Sequence, residues 1–293
     1  MMSPDASVVI ATYNRAALLG ACLDCLLAQD YPPERYEIIV VDDGSSDDTE
    51  SVVRERAGVR YLRQERTLGP GAARNRGIAE ARGDIVIFTD SDALAPPCFV
   101  REHVETHGRH PRCIVDGPAI TVRDVSGPPV TSPLVRMLAF LDFWGQEFVT
   151  VNASCAKAEL VKAGGFDERF LKWQDLELGQ RLRAMGVGRI RNRRAYVVHR
   201  EAGRRSLPGL ARHVRLNGKY AAMFFEKHPS PWAARKTRLR YLAYDRMLAW
   251  TERYSSRESV HWFPLFRRLY LIHIYAEGLR SGLGLMAGGP HHD

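Results

Sequence analysis

The chain has 293 residues, of which 45% are hydrophobic and 26% charged, so it is not a disordered chain, a collagen-like repeat or a small disulfide scaffold. The length suits one large domain, or one domain with an appended subdomain. The net charge is +8, yet residues 200–293 hold 17 Lys+Arg against 7 Asp+Glu, leaving 25 against 27 before them; a basic C-terminal third fits an anionic partner or a helical face of solvated Arg.

Residues 7–12 (SVVIAT) are continuous, β-branched and apolar, which predicts a buried strand. Asn14 is placed to cap the helix that follows over 15–29, and Tyr31-Pro32-Pro33 ends it. A second buried strand is predicted over 36–41, closing on Asp42-Asp43-Gly44. Asp47-Asp48-Thr49 opens a helix, with acids at its positive end. A strand over 59–63, a helix over 72–81 and a strand over 84–89 follow. Such alternation with short connections predicts a parallel, doubly wound α/β sheet. Ligands bind beyond the carboxyl ends of such strands. Tyr13-Asn14-Arg15, Asp42-Asp43 and Asp90-Ser91-Asp92 all fall at those ends. The middle section is mixed: strands over 113–120, 149–154 and 195–199, a Gly/Pro-rich loop over 126–133, and helices over 134–144 and 173–186. From Leu207 the pattern is helical almost throughout.

The most apolar late stretch, 269–276, is 8 residues long and contains His273. A membrane span needs roughly 20 apolar residues. The start, MMSPDAS, has no basic segment ahead of an apolar core, so no secretory leader is expected. Five scattered cysteines suit a reducing compartment. Cys22 and Cys25 share an apolar helical pattern with Leu18, Leu19 and Leu26, so they read as buried thiols rather than a redox or metal pair.

Asp90 and Asp92 flank Ser91 after a buried strand. Crowded carboxylates raise each other's pKa unless a cation compensates. A hard divalent ion, Mg²⁺ or Mn²⁺, answers that need; solvated acids in a turn are the plainer reading. Gly69-Pro70-Gly71-Ala72-Ala73-Arg74 nearly matches G-x-G-x-x-G, but Arg74 replaces the last glycine and the motif follows the third strand. It is therefore not a dinucleotide fingerprint, although its small residues could let a helix N-terminus approach an anion. His103, His107 and His110 have metal-like spacing without a companion ligand, and are read as a solvated helix face.

SVVIATYNR (7–15), EIIVVDDGSSDDT (37–49), GPGAARNRGIAEARGDIVIFTDSDA (69–93), GGFDERF (164–170) and WQDLELGQRLRAMG (173–186) occur in order. Together they resemble the family 2 glycosyltransferases over about residues 5–200. The resemblance implies a GT-A fold: a Rossmann-like, mainly parallel sheet flanked by helices, here with a helical C-terminal extension. It implies a domain at 1–200, with a nucleotide-binding half (1–111) and an acceptor-binding half (112–200), before a basic helical region at 201–293. It also implies an inverting enzyme that moves a sugar from a nucleotide diphosphate to an acceptor hydroxyl with Mn²⁺ or Mg²⁺. Ala11, Thr12, Tyr13 and Arg15 would line the nucleotide, Asp43 the base imide, and Gly71 and Arg74 the helix opening along it. Asp90 would approach the ribose, beside Ser91, while Asp92 and His199 would hold the metal. Asp175 would be the catalytic base, with Trp173, Gln174 and Glu177 on the acceptor side; Gln174 departs from the family, which has an acid there.

These residue types suit the chemistry. One carboxylate can take the acceptor proton, and a cation can stabilise the leaving diphosphate. A UDP, dTDP or GDP sugar is the expected donor, and a glycan or lipid-linked molecule the acceptor. Gln180-Arg181-Leu182-Arg183-Ala184 lacks the Trp of processive members, so the expected enzyme is non-processive. A nucleotidyltransferase or a non-catalytic nucleotide- or carbohydrate-binding module are the alternatives. In the basic C-terminal third, Trp232, Trp250, Trp262, Phe263, Phe266, Tyr270, Leu271, Ile274 and Tyr275 stand beside Arg235, Lys236, Arg238, Arg240, Arg267 and Arg268. They make either a packed helical subdomain or a peripheral membrane contact. The expected location is cytoplasmic, at the inner face of the plasma membrane if that contact forms. No nucleic-acid module is present.

Overall fold

The structure, a computed structural model, describes residues 3–122, 130–141, 148–200, 206–243 and 264–284. The chain divides into two compact units, Met1–Gly203 and Arg204–Asp293.

In the first unit, β1 (Ala6–Thr12), β2 (Tyr36–Asp42), β3 (Val59–Arg63) and β4 (Ile85–Asp90) run parallel in the spatial order β3-β2-β1-β4. Beyond β4 the sheet continues through β8 (Asn152–Ala156), β6 (Cys113–Asp116) and β9 (Gly188–Arg191). β8 is antiparallel to both of its neighbours, and β9 is parallel to β6. The sheet is thus mainly parallel and flanked by helices, the GT-A arrangement.

Both faces are covered, so the strands are apolar at successive positions. Side chains alternate between the faces. Val8, Ile10, Ile38, Val40 and Ile87 pack with Leu19, Leu23 and Leu26 of α1 (Ala16–Leu27) and Phe99 of α4 (Phe99–Arg109). The intervening Val9, Ile39, Val41, Val86 and Phe88 pack with Ile78 of α3 (Pro70–Glu80), Leu160 of α6 (Lys157–Lys162) and Leu178 of α7 (Gln174–Ala184).

A smaller sheet joins β5 (Ala93–Leu94), β10 (Val197–Arg200) and β7 (Ala119–Val122). Against it packs α5 (Pro133–Leu141), whose Val135 and Ala139 meet Leu94, Tyr196 and Val198. The strand expected over 113–120 is therefore two strands in two sheets. Gly117-Pro118 separates them, because Pro118 has no N–H to continue a ladder. The strand expected over 149–154 starts at Asn152, and β5, β9 and α6 are too short for a periodicity argument to find. Part of the 126–133 loop and the end of the 134–144 helix lie outside the described residues.

The second unit pairs α8 (Leu207–Lys227) with α10 (Pro264–Gly282); α9 (Pro231–Lys236) and a short 3-10 turn at Leu239–Ala243 lie between them in the chain. Ser206 and Ser230 cap α8 and α9, accepting from Gly209 N and Ala233 N. The two long helices cross closely at glycine. A Cβ on Gly278 would lie 2.0 Å from the Arg215 carbonyl, and one on Gly218 2.2 Å from that of Tyr275. Arg215 pairs with Glu277 at 2.8 Å, and the Tyr275 hydroxyl donates to Thr237 O at 3.0 Å. Ile274 and Tyr275 are buried. Trp250, Trp262 and Phe263 lie outside the described residues, as do the side chains of Phe266 and Arg267. Among the described residues no helix is long and apolar enough to cross a membrane.

Candidate active site

The parallel register sets the carboxyl ends of β1, β2 and β4 level: Thr12 faces Asp42, and Ala11 faces Asp90. The loops that follow are tied together. Asn14, at φ +50°, accepts from Ser46 N through its Oδ1 at 2.8 Å, and Asn14 N donates to Ser45 Oγ. Asn14 is therefore not the cap of α1; Asp47 takes that part by accepting from Ala16 N at 3.0 Å. A loop-to-loop bond wins because the left-handed turn aims the Asn14 amide away from its own helix. Thr12 is buried, and among the described residues its Oγ1 has no hydrogen-bond partner. Tyr13 is exposed beside it.

Asp43 is buried and holds the loop that opens α3. Its Oδ1 accepts from Leu68 N at 2.8 Å and from Gln64 Nε2, and its Oδ2 accepts from Gly69 N at 2.8 Å. A carboxylate has about four acceptor positions, so one remains. Gly69, at φ +97°, makes the turn into α3, a backbone angle that favours glycine. Gly71 follows in the first turn, facing Gln174 and Phe166.

Asp90, Asp92 and His199 each offer a ligand atom, and these atoms lie within 4.8 Å of one another. The small sheet brings His199 there by pairing it with Ala93, the residue after Asp92. His199 Nε2 is 3.1 Å from Asp92 Oδ1, and Arg15 Nη1 is 3.4 Å from Oδ2. Burial raises the Asp92 pKa, but the His199 hydrogen bond and the charges of His199 and Arg15 outweigh it and hold it below its ordinary value. Two carboxylates and an imidazole are a donor set that fits a divalent cation, Mn²⁺ more readily than Mg²⁺. Ser91 is buried between the two acids.

Arg74 joins this cluster to α7. Its Nη2 lies 3.1 Å from Asp90 Oδ1, and its guanidinium sits 5.8 Å from the Phe166 ring centroid. With the Gln174 amide turned so that each end meets a complementary group, Gln174 Oε1 accepts from Arg74 Nη1 at 2.7 Å, and its Nε2 donates to Phe170 O at 2.8 Å. Asp175 follows in the first turn of α7. Burial raises its pKa, while the Arg74 charge and the Leu176 N–H oppose the rise. A carboxylate with a raised pKa is a stronger base. Trp173, just before α7, is left-handed at φ +66°, a strained angle for a bulky residue.

Glu177, expected on the acceptor side, has an ion-pair partner on its own helix. It is wholly buried and bonds Arg181 at 2.6 Å, and Arg181 in turn donates to the carbonyls of Ala163 and Gly165. The helical period turns position 177 inward, so the pair anchors α7 to the 163–165 turn. His103 and His107 differ from expectation, being buried rather than solvated. Both meet Ser154 Oγ, at 2.8 and 2.9 Å, and His103 Nε2 meets Asn152 Oδ1 at 3.1 Å. Asn152 donates to Pro118 O and Ala195 O, so its oxygen can only accept. No motif signals Asn152 or Ser154; their role appears only when β8 meets α4.

The glycosyl transferase family 2 profile matches residues 7–155. Over 270 residues the chain is 33% identical to a validoxylamine A glucosyltransferase of Streptomyces hygroscopicus subsp. limoneus, covering 78% of this chain and 57% of that protein. The chain thus spans somewhat over half the length of that relative. A mannosyltransferase from Pyrobaculum calidifontis, solved with GDP-Man and Mn²⁺, superposes with a TM-score of 0.62 at 21% identity, over 97% of this chain and 88% of that one. S. aureus TarS 1–349 in complex with UDP-GlcNAc gives 0.55 at 17%, over 94% and 91%. At these identities the two structures speak for the fold.

Proposed function

The chain belongs to glycosyl transferase family 2, and on that premise we propose that it transfers one sugar from a nucleotide diphosphate to an acceptor hydroxyl, with inversion. The observation that carries this reading is the Arg74 bridge. It ties Asp90, a member of the metal-competent cluster, to the first turn of α7, which bears Asp175.

In this reading the nucleotide lies across the ends of β1 and β2. Ala11, Thr12, Tyr13 and Arg15 line it, the Thr12 hydroxyl, unpartnered among the described residues, is a ready contact, and the remaining acceptor position of Asp43 takes the base N–H. Gly71 and Arg74 flank it, and Asp90 with Ser91 lies toward the ribose. Asp92 and His199 would hold Mn²⁺ or Mg²⁺, which when bound offsets the charge of the departing diphosphate. Asp175 takes the acceptor proton as its oxygen attacks the anomeric carbon. The bond from that carbon to the diphosphate oxygen breaks on the opposite face, and nucleoside diphosphate leaves. Trp173 and Gln174 border the acceptor. Transfer of a single sugar is the reading that fits the missing Trp in Gln180–Ala184.

Structural neighbours were solved with GDP-Man and with UDP-GlcNAc, in keeping with a GDP, UDP or dTDP sugar as donor. A glycan or lipid-linked acceptor fits the basic region at 201–293, which would meet it or an anionic membrane. Five free thiols fit a cytoplasmic setting. The test is a thermal-shift screen of nucleotide sugars with Mg²⁺ and Mn²⁺, followed by product analysis. Release of nucleoside diphosphate supports transfer, release of pyrophosphate indicates a nucleotidyltransferase, and tight binding without turnover indicates a binding module.

A further inference from the structure

The helix α5 carries an apolar surface that the proposed reaction does not use. Leu134, Met137, Leu138 and Phe140 are 52%, 52%, 42% and 63% exposed, while Val135 and Ala139 on the opposite side are buried. Large apolar side chains gathered on one helical arc mark an interaction surface rather than scattered exposure. Among the described residues the helix, PLVRMLAFL, has no acid. Its border is cationic: Arg136 is exposed, and the Arg193 guanidinium lies 5.4 Å from the Phe140 ring centroid.

We propose that α5 is a membrane-docking element that seats the first unit on an anionic lipid surface. Apolar side chains would enter the boundary, and Arg136 and Arg193 would meet lipid phosphates, the pattern of an interfacial helix. The charge favours lipid over a second copy of the chain. A two-fold pairing through this face would set like-charged borders together, with no acid among the helix's described residues to answer them. The surface also backs the site. Val198 packs toward α5, whereas His199, the next residue of β10, meets Asp92 on the other face of the small sheet. Docking here would hold the site one layer from the bilayer. The further consequence, a lipid-anchored acceptor, rests on the proposed transfer reaction; the docking itself does not.

The test is flotation of the full chain with phosphatidylglycerol–phosphatidylcholine vesicles and with phosphatidylcholine alone, at low salt. The variants are Met137→Asp/Phe140→Asp, Arg136→Glu and, as a control, Val161→Asp, which alters another exposed apolar residue, 60% exposed, on α6. Thermal unfolding checks that each variant is folded. The expected result is binding to the anionic vesicles that weakens at least about tenfold in the double variant. It should also fall in Arg136→Glu and persist in Val161→Asp. The proposal is overturned if the wild type ignores anionic vesicles, or if the double variant binds them as the wild type does. It is equally overturned if the double substitution changes only the sedimentation mass, which would make α5 a contact between copies. Vesicle binding needs no donor, so this outcome is separate from that of the transferase assay.

Discussion

The Arg74 guanidinium stands 3.1 Å from Asp90 Oδ1, so a buried cation on α3 meets the acid that ends β4. The same group donates to Gln174, at the head of α7. One side chain therefore sets the spacing between the strand-end acids and Asp175. Arg and Lys are not equivalent in such a post, because only the planar fork reaches two partners at once. Arg74→Lys should keep the fold and lower turnover by about tenfold or more, and Arg74→Met by about a hundredfold or more. Steady-state kinetics alongside thermal unfolding would check this. Wild-type turnover in Arg74→Met would remove Arg74 from the site.

The second prediction concerns acid stability. Burial pushes His103 down to about 3, aided by the neighbouring His107 charge, and pushes His107 down to about 4. The unfolded chain binds these protons near pH 6.5, whereas the folded chain resists them until pH 3–4. Stability contributed by the neutral pair is present above about pH 6.5 and is lost as pH falls toward those folded values. Between about pH 7 and pH 5.5 the pair should cost roughly 2–3 kcal/mol. Denaturant unfolding at several pH values measures the slope, and a His103→Gln/His107→Gln variant should flatten it.

The third concerns the second unit. A side chain at Gly278 would overlap the Arg215 carbonyl and force α8 and α10 apart. Gly278→Leu should destabilise this unit by at least about 2 kcal/mol. Limited proteolysis would show faster cleavage after residue 204. Donor binding should survive if it belongs to the first unit, and calorimetry can follow both.

The fourth separates the metal-competent residues. Asp92→Ala should abolish stimulation by Mn²⁺. His199→Ala should weaken the apparent metal affinity by about tenfold while leaving donor binding without metal unchanged. A titration of Mn²⁺ against thermal shift distinguishes the two from a general loss of fold.

Much of this architecture is legible in the sequence because both faces of the sheet are buried. Continuous apolar runs such as SVVIAT and EIIVV leave few other states, and their ends fix where Asp42, Asp43, Asp90 and Asp92 emerge. His199 is reachable through family resemblance, but its pairing with Ala93 depends on a two-residue strand that no pattern signals. The tasks of Glu177 and of His103 with His107 are not legible. A charged or polar residue on a helix looks solvated until the partner that satisfies it, Arg181 or Ser154, is placed by tertiary packing. Gly117-Pro118 carries a break signal, and it divides the strand expected over 113–120.

The most direct test compares the wild type with Asp175→Asn in a single experiment, measuring donor binding by calorimetry and nucleoside diphosphate release with acceptor present. The account predicts that donor affinity stays within about threefold while release falls by at least about a thousandfold, because the acceptor proton has no base to receive it. Near wild-type release by Asp175→Asn would contradict it.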